Sequence, residues 1–182
     1  KELFTYRRPI GVAAMITAGN FPIAVPSWKI IPALLCGNTV VWKPSEDASA
    51  IAYLFARIIE DAGVPAGTIN VVFGGGSSGA GEAIVEAIDR GWIQKVSFTG
   101  STAVGRKIGE VCGRNLQVPS LELGGKNPMV VLPDADLDLA VEGALFSGYG
   151  TAGQRCTSLG NLIIDKSIAS VFKQRLVDRL KT

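Results

Sequence analysis

The chain has 182 residues, room for one domain and part of another, and hydrophobic residues make up 47% of it, enough for a core. A formal charge of +2, with no basic patch interleaved with aromatics, removes the electrostatic case for nucleic acid, and no run of about 18 apolar residues suggests a membrane span. Three cysteines without paired spacing argue against a disulfide framework or a metal site, and the absence of histidine rules out a Ser-His or Cys-His couple.

Read in chain order, short apolar runs alternate with longer amphipathic stretches. Residues 10–17 read as a strand, 26–36 as a buried helix and the β-branched run 38–43 as a second strand. Residues 49–62 carry apolar side chains at helical spacing and stop at Gly63. A strand over 68–73, a helix over 80–88, a strand over 95–98 and a helix over 101–111 follow. Residues 121–123 and 128–132 read as extended, 134–147 as a helix with acidic residues early, 159–164 as a strand and 167–180 as a helix. Strand and helix in regular alternation imply a parallel sheet with crossover helices. The glycine pair Gly124-Gly125 marks the expected seam between two domains, 1–123 and 124–182. The N-terminus lacks the layout of a signal peptide, so the expected compartment is the reducing cytoplasm. The last helix stops without a polar tail, which reads as a cut inside something larger.

Ligands of such sheets sit beyond the carboxyl ends of the strands. Gly74, Gly76 and Gly79 spell G-x-G-x-x-G between a strand and a helix, either a dinucleotide turn or a flexible connection. Its usual acidic partner is missing, since Asp89 comes too early and lies at a helix end. Ser97-Phe98-Thr99-Gly100-Ser101-Thr102, followed by Gly105, turns a strand into a helix. Ser101 and Thr102 either cap that helix or sit beside a pyrophosphate held by bare amides. Lys43, Ser45 and Glu46 stand at another strand end, as ribose contacts or as a solvated turn.

Cys36 and Cys112 read as packing residues. Cys156 differs: it follows Arg155 in a small, polar stretch between a helix and a strand, where an exposed thiol can act as a nucleophile. Glu122, between Leu121 and Leu123 at a strand end, is either a general base or an outward residue of an alternating strand. The side-chain amide of Asn20 can donate to an oxyanion or simply shape a turn.

Taken together and in order, Ile16-Thr17-Ala18-Gly19-Asn20-Phe21-Pro22, Trp42-Lys43-Pro44-Ser45-Glu46, residues 97–102, Leu121-Glu122-Leu123-Gly124-Gly125-Lys126 and Gly153-Gln154-Arg155-Cys156-Thr157 resemble the NAD(P)-dependent aldehyde dehydrogenase superfamily over nearly the whole chain. The resemblance implies an α/β fold: a Rossmann-like open parallel sheet with crossover helices over 1–123, followed by a truncated α/β catalytic domain over 124–182. It implies Cys156 as thiolate nucleophile, Glu122 as the base that activates water, and Asn20 with the Cys156 N–H as oxyanion hole. Lys29 matches a lysine in a proton path behind the base. Lys43, Ser45, Glu46, Gly76, Gly100, Ser101, Thr102, Gly105 and Leu123 are the implied contacts of NAD, with NADP as the alternative and Glu46 favouring NAD. The implied substrate is a small aldehyde, in particular a semialdehyde, oxidised to an acid through a thiohemiacetal and a thioester, with no metal. A homo-oligomer is the implied assembly of the full-length enzyme.

The chain departs from the family pattern in three places. Gly19 replaces an aromatic residue common before the Asn, residues 77–92 differ in length, and the chain lacks an N-terminal part and a downstream Glu-x-Phe-Gly-Pro segment. The expectation is therefore a fragment with poor turnover of its own. The competing readings are a nucleotide-binding piece without catalysis and a different cysteine enzyme, such as an amidase or acyltransferase.

Overall fold

The computed structural model describes residues 1–77 and 79–181. The chain divides into two compact units, Lys1–Leu123 and Gly124–Thr182.

In the first unit, β1 (Val12–Ile16), β2 (Thr39–Lys43), β3 (Ile69–Val71), β4 (Lys95–Gly100) and β5 (Ser120–Leu123) form one parallel sheet in the order β3-β2-β1-β4-β5. The helices α1 (Ala24–Leu35), α2 (Ser49–Asp61), α3 (Ala80–Asp89) and α4 (Thr102–Arg114) are the crossovers. The period of two along a strand sorts its side chains between two helical layers. Ala13 and Met15 of β1 join Val40 and Trp42 of β2 in a core with Ile30 of α1 and Ala52 and Ile59 of α2. Ala14, between them, joins Val96 and Phe98 of β4 in a second core with Ile84, Ile88, Ile108, Val111 and Cys112 from α3 and α4. Chain order reverses between β1 and β4, which makes the carboxyl ends of these two strands the crevice-forming point of the sheet.

Local signals set the ends of the elements. Ser101 caps α4, its Oγ accepting from Val104 N at 3.4 Å. Gly37 and Gly63, at φ 79° and 84°, take the left-handed turns after α1 and α2 that a Cβ would strain. Pro26 falls in the first turn of α1, where its missing N–H costs nothing, so the helix starts two residues before the expected position. The edge strand β3 is shorter than the expected 68–73, as it pairs on one side only.

The second unit holds β6 (Asn127–Val131), α5 (Leu137–Tyr149), β7 (Leu159–Ile164) and α6 (Ala169–Leu180). The two strands pair in parallel, and Val131, Val141, Ala144 and Phe172 are its buried centre. Asp136 caps α5, accepting from Asp138 N at 3.0 Å and Leu139 N at 3.1 Å, which places the helix start later than the expected residue 134. Among the described residues no helix is long and apolar enough to cross a membrane, and no cluster of metal-ligating side chains is present.

Candidate active-site residues

The carboxyl edge of the first sheet gathers most of the sequence-derived site residues. Asn20 lies just beyond β1, half-buried after the Thr17-Ala18-Gly19 turn. Thr17 is anchored there, its Oγ1 accepting from Trp42 Nε1 at 3.0 Å and its N–H donating to Lys43 O at 3.1 Å. Gly19 packs closely on Ser45: a Cβ there would come within 3.1 Å of Ser45 Oγ, so the Ser45 side chain would have to shift slightly to admit one.

Lys43 ends β2 buried, donates to Pro44 O at 3.0 Å and stands 3.8 Å from the exposed Glu46 carboxylate. Gly100 ends β4, where a Cβ would come within 2.5 Å of the Phe98 ring. Gly105, buried in the first turns of α4, allows Leu123 of β5 to pack directly on the helix, since a Cβ there would come within 2.6 Å of Leu123 Cδ2. In the turn before α3, Gly74 and Gly79 have φ of 145° and 99°, and Gly76 faces open space. Ser78 in this turn lies outside the described residues. Sequence spacing missed the glycine that packs most tightly here: a side chain on Gly81 would collide with the Gly76 carbonyl. Asp89 has structural work instead of a ribose, accepting from Asn115 Nδ2 at 3.2 Å.

Lys29 and Glu122 come together on the α1 side of the sheet. Parallel register sets Thr99 beside Glu122 and Ser97 beside Ser120, so these polar groups share one face. The Lys29 ammonium reaches in from α1 and donates to Ser97 Oγ at 2.7 Å. Burial pushes its pKa below the ordinary lysine value, and the attraction of Glu122 opposes part of that shift. Glu122 itself is exposed in a strand whose residues alternate inward and outward, so it needs no buried charge to be compensated. Thr99 adds a residue that motif reading left unassigned: its Oγ1 is buried and meets no hydrogen-bond partner among the described residues.

Cys156 belongs to the second unit, in the segment between the end of α5 and β7, and it is exposed. Asn127 Nδ2 donates to its carbonyl at 2.7 Å and to Ser158 O at 3.0 Å. Among the described residues nothing accepts from the Cys156 N–H. Cys112 is fully buried in the α3–α4 core, where burial raises the pKa of its thiol and nearby Lys95 opposes this in part. Cys36 corrects the sequence reading: it is exposed, because α1 ends one residue earlier and Cys36 caps it on the outer side, its N–H bonded to Pro32 O.

An open parallel sheet wound in both directions from β1, with helices on both faces, is a Rossmann-like α/β fold. The chain belongs to the Aldehyde dehydrogenase family, whose profile matches residues 1–182. It is 48% identical to a phenylacetaldehyde dehydrogenase of Pseudomonas fluorescens over 94% of this chain and 34% of that protein. It is 44% identical to a 2,5-dioxopentanoate dehydrogenase of Saccharolobus solfataricus over 99% of this chain and 37% of that protein. Among solved structures, betaine aldehyde dehydrogenase from Staphylococcus aureus in complex with NAD+ superposes with a TM-score of 0.89 at 40% identity, covering 95% of this chain and 34% of that one. The chain thus spans about a third of the length of the proteins it matches.

Proposed function

We propose that the protein carrying this chain oxidises an aldehyde to a carboxylic acid with NAD, or with NADP as the alternative. Residues 1–123 are the cofactor-binding domain and 124–182 the start of the catalytic domain. The family match over the entire chain, with Cys156 exposed in a turn and no acceptor for its N–H among the described residues, is the observation that carries this reading.

The groups at the carboxyl edge suit a dinucleotide. Gly76, Gly100 and Gly105 keep backbone accessible, Ser101 and Thr102 start a helix whose amides favour an anion, and Thr99 Oγ1 is a buried polar atom with no partner among the described residues. Lys43, Ser45 and Glu46 would hold the adenosine ribose, Glu46 disfavouring a 2′-phosphate, and Leu123 would line the site. NAD held there would supply the acceptor for the hydride that the oxidation releases.

The chemistry of the chain's own groups follows. The Cys156 thiolate bonds to the carbonyl carbon, and the carbonyl electron pair becomes an oxyanion. The side-chain amide of Asn20 and the Cys156 N–H stabilise that oxyanion, each such donor being worth about 3–4 kcal/mol of barrier. After oxidation a thioester joins the acyl group to Cys156. Glu122 removes a proton from water, the hydroxide attacks the thioester carbon, and the sulfur leaves as thiolate. Lys29, hydrogen-bonded to Ser97 and attracted to Glu122, takes that proton from Glu122 in its neutral amine form, which burial favours, and passes it on to solvent. A base in this role favours hydrolysis over acyl transfer to a second thiol. The proposed substrate class is small polar aldehydes, semialdehydes in particular. The proposed compartment is the cytoplasm and the proposed assembly a homo-oligomer.

An aldehyde screen with NAD on the whole protein, with Cys156→Ala as control, tests this reading. Reduction of NAD that requires aldehyde and vanishes in the variant supports it. Unchanged turnover in Cys156→Ala contradicts it. That the chain spans about a third of its relatives favours a second reading for the 182 residues alone, nucleotide binding without turnover. An NAD titration beside the turnover assay separates the two.

A further inference from the structure

The segment that leads into Cys156 has an unusual backbone. After α5 the chain enters Thr151 at φ 57° and ψ 34°, Ala152 at φ 53° and ψ 30°, and Gly153 at φ 69°. Glycine adopts this left-handed region freely, but Thr151 and Ala152 carry Cβ atoms and are each disfavoured there by roughly 1–2 kcal/mol. Strain of this size persists only where neighbouring contacts hold it.

The contacts that hold it converge on one side chain. Arg155 Nη2 and Nε donate to Thr151 Oγ1 at 2.8 and 3.1 Å. The guanidinium plane's carbon lies 4.7 Å from the centroid of the Phe146 ring, on the last turns of α5. The backbone closes the same turn, with Gln154 N donating to Thr151 O at 2.9 Å. Arg155 N–H is itself oriented by Ser158 Oγ at 3.3 Å. The cation next to the thiol is therefore turned back onto the turn, while Asn127 takes the Cys156 carbonyl on the other side.

We infer that Arg155 is a positioning residue for Cys156: by gripping Thr151 Oγ1 and lying on Phe146, it locks the left-handed turn that sets the direction of the thiol and of the Cys156 N–H. The inference rests on the proposed role of Cys156, and its action is geometric. The sequence pattern alone suggests another role, a cation acting on the sulfur by charge, and the two make opposite demands on substitutions. A geometric clamp needs the forked guanidinium and its hydroxyl acceptor; a charge effect needs only a cation.

The test uses the whole chain without substrate or NAD. Alkylation by iodoacetamide is followed at each cysteine by mass spectrometry, with exposed Cys36 as internal reference and buried Cys112 as a reporter of unfolding. Amide exchange is read on the peptide spanning 150–158. Arg155→Met and Thr151→Val each change the Cys156-to-Cys36 rate ratio by the same factor, at least about threefold, and speed exchange across the turn. The double variant goes no further than either single one, Arg155→Lys behaves like Arg155→Met, and Thr151→Ser returns both readouts to wild type. A wild-type ratio in Thr151→Val, additive effects in the double variant, or full retention by Arg155→Lys overturns the inference. Should Cys112 become reactive in the arginine variants, the pair Thr151→Val and Thr151→Ser decides by itself. These rates involve no turnover, so they stand or fall separately from the loss of activity in Cys156→Ala.

Discussion

Glu122 and Cys156, the two groups assigned to successive steps, are held by different means. Glu122 is fixed by sheet register: Thr99 pairs with it, Leu121 and Leu123 on either side face the other helical layer, and moving it means slipping a strand. Cys156 stands in irregular chain, fixed by side chains that grip backbone, namely Asn127 on its carbonyl and Arg155 on the turn before it. The first arrangement draws its rigidity from a core shared by many residues. The second depends on a few hydrogen bonds, so single substitutions should act locally and selectively there. A nucleophile that becomes acylated and is then freed fits the second kind of support.

Breaking the shared core should have the largest effect. Trp42 is fully buried, stands edge-on to Phe55 and donates to Thr17. Trp42→Ala should destabilise residues 1–123 by about 3–5 kcal/mol in chemical denaturation. Alkylation of Cys156 should keep its wild-type rate at denaturant concentrations too low to unfold the chain. A core substitution that altered that rate would erase the contrast between the two units.

Glycine packing gives the next effect. Gly81→Ala meets the Gly76 backbone and should cost about 1–3 kcal/mol. Gly105→Ala meets only the far end of the Leu123 side chain, which can turn aside, and should cost less. Thermal melts of the two variants rank them, and a reversed order would refute the packing account. In the second unit, Asp136→Ala removes the cap of α5 and should cost about 1 kcal/mol, read in the same way. Asn127→Ala should cost a similar amount, about 1 kcal/mol. Unlike the capping change, it should also speed amide exchange around residue 156.

The smallest effect is a pH dependence. Lys29 has a lowered pKa in the folded chain, chiefly because burial disfavours its charge. Below its folded value it is protonated folded and unfolded alike, and folding bears the desolvation cost. Between the folded value and the ordinary 10.5 the unfolded chain holds the extra proton, so stability rises with pH. Lys29→Met should therefore melt slightly higher than wild type at the low end of the pH range, and the gap should shrink as pH rises toward 10.5. A gap that widened with pH would mean that the Ser97 and Glu122 contacts outweigh burial.

Much of the fold was legible because strands and helices of a two-layered sheet differ in length and period, and the alternation 10–17, 26–36, 38–43 is hard to read otherwise. Ends were less so, as where α5 starts after its cap Asp136 rather than at the expected residue 134. The polar turns at the strand ends were visible as motifs, and Ser101 does cap α4. Three features were not visible. Gly81 looks like any helix-start glycine until the Gly76 carbonyl is placed against it. Cys36 follows an apolar run and still faces outward, because burial depends on which side of α1 its end falls. Arg155 and Thr151 meet through left-handed backbone, where no spacing rule applies.

The covalent role of Cys156 is tested most directly by a single turnover of the whole protein as Glu122→Gln, with NAD and aldehyde. The account requires NADH to form once per site while the acyl group accumulates on the peptide containing Cys156, seen by mass spectrometry. NADH formed with that peptide left unmodified, or acyl found on Cys36 instead, would contradict it.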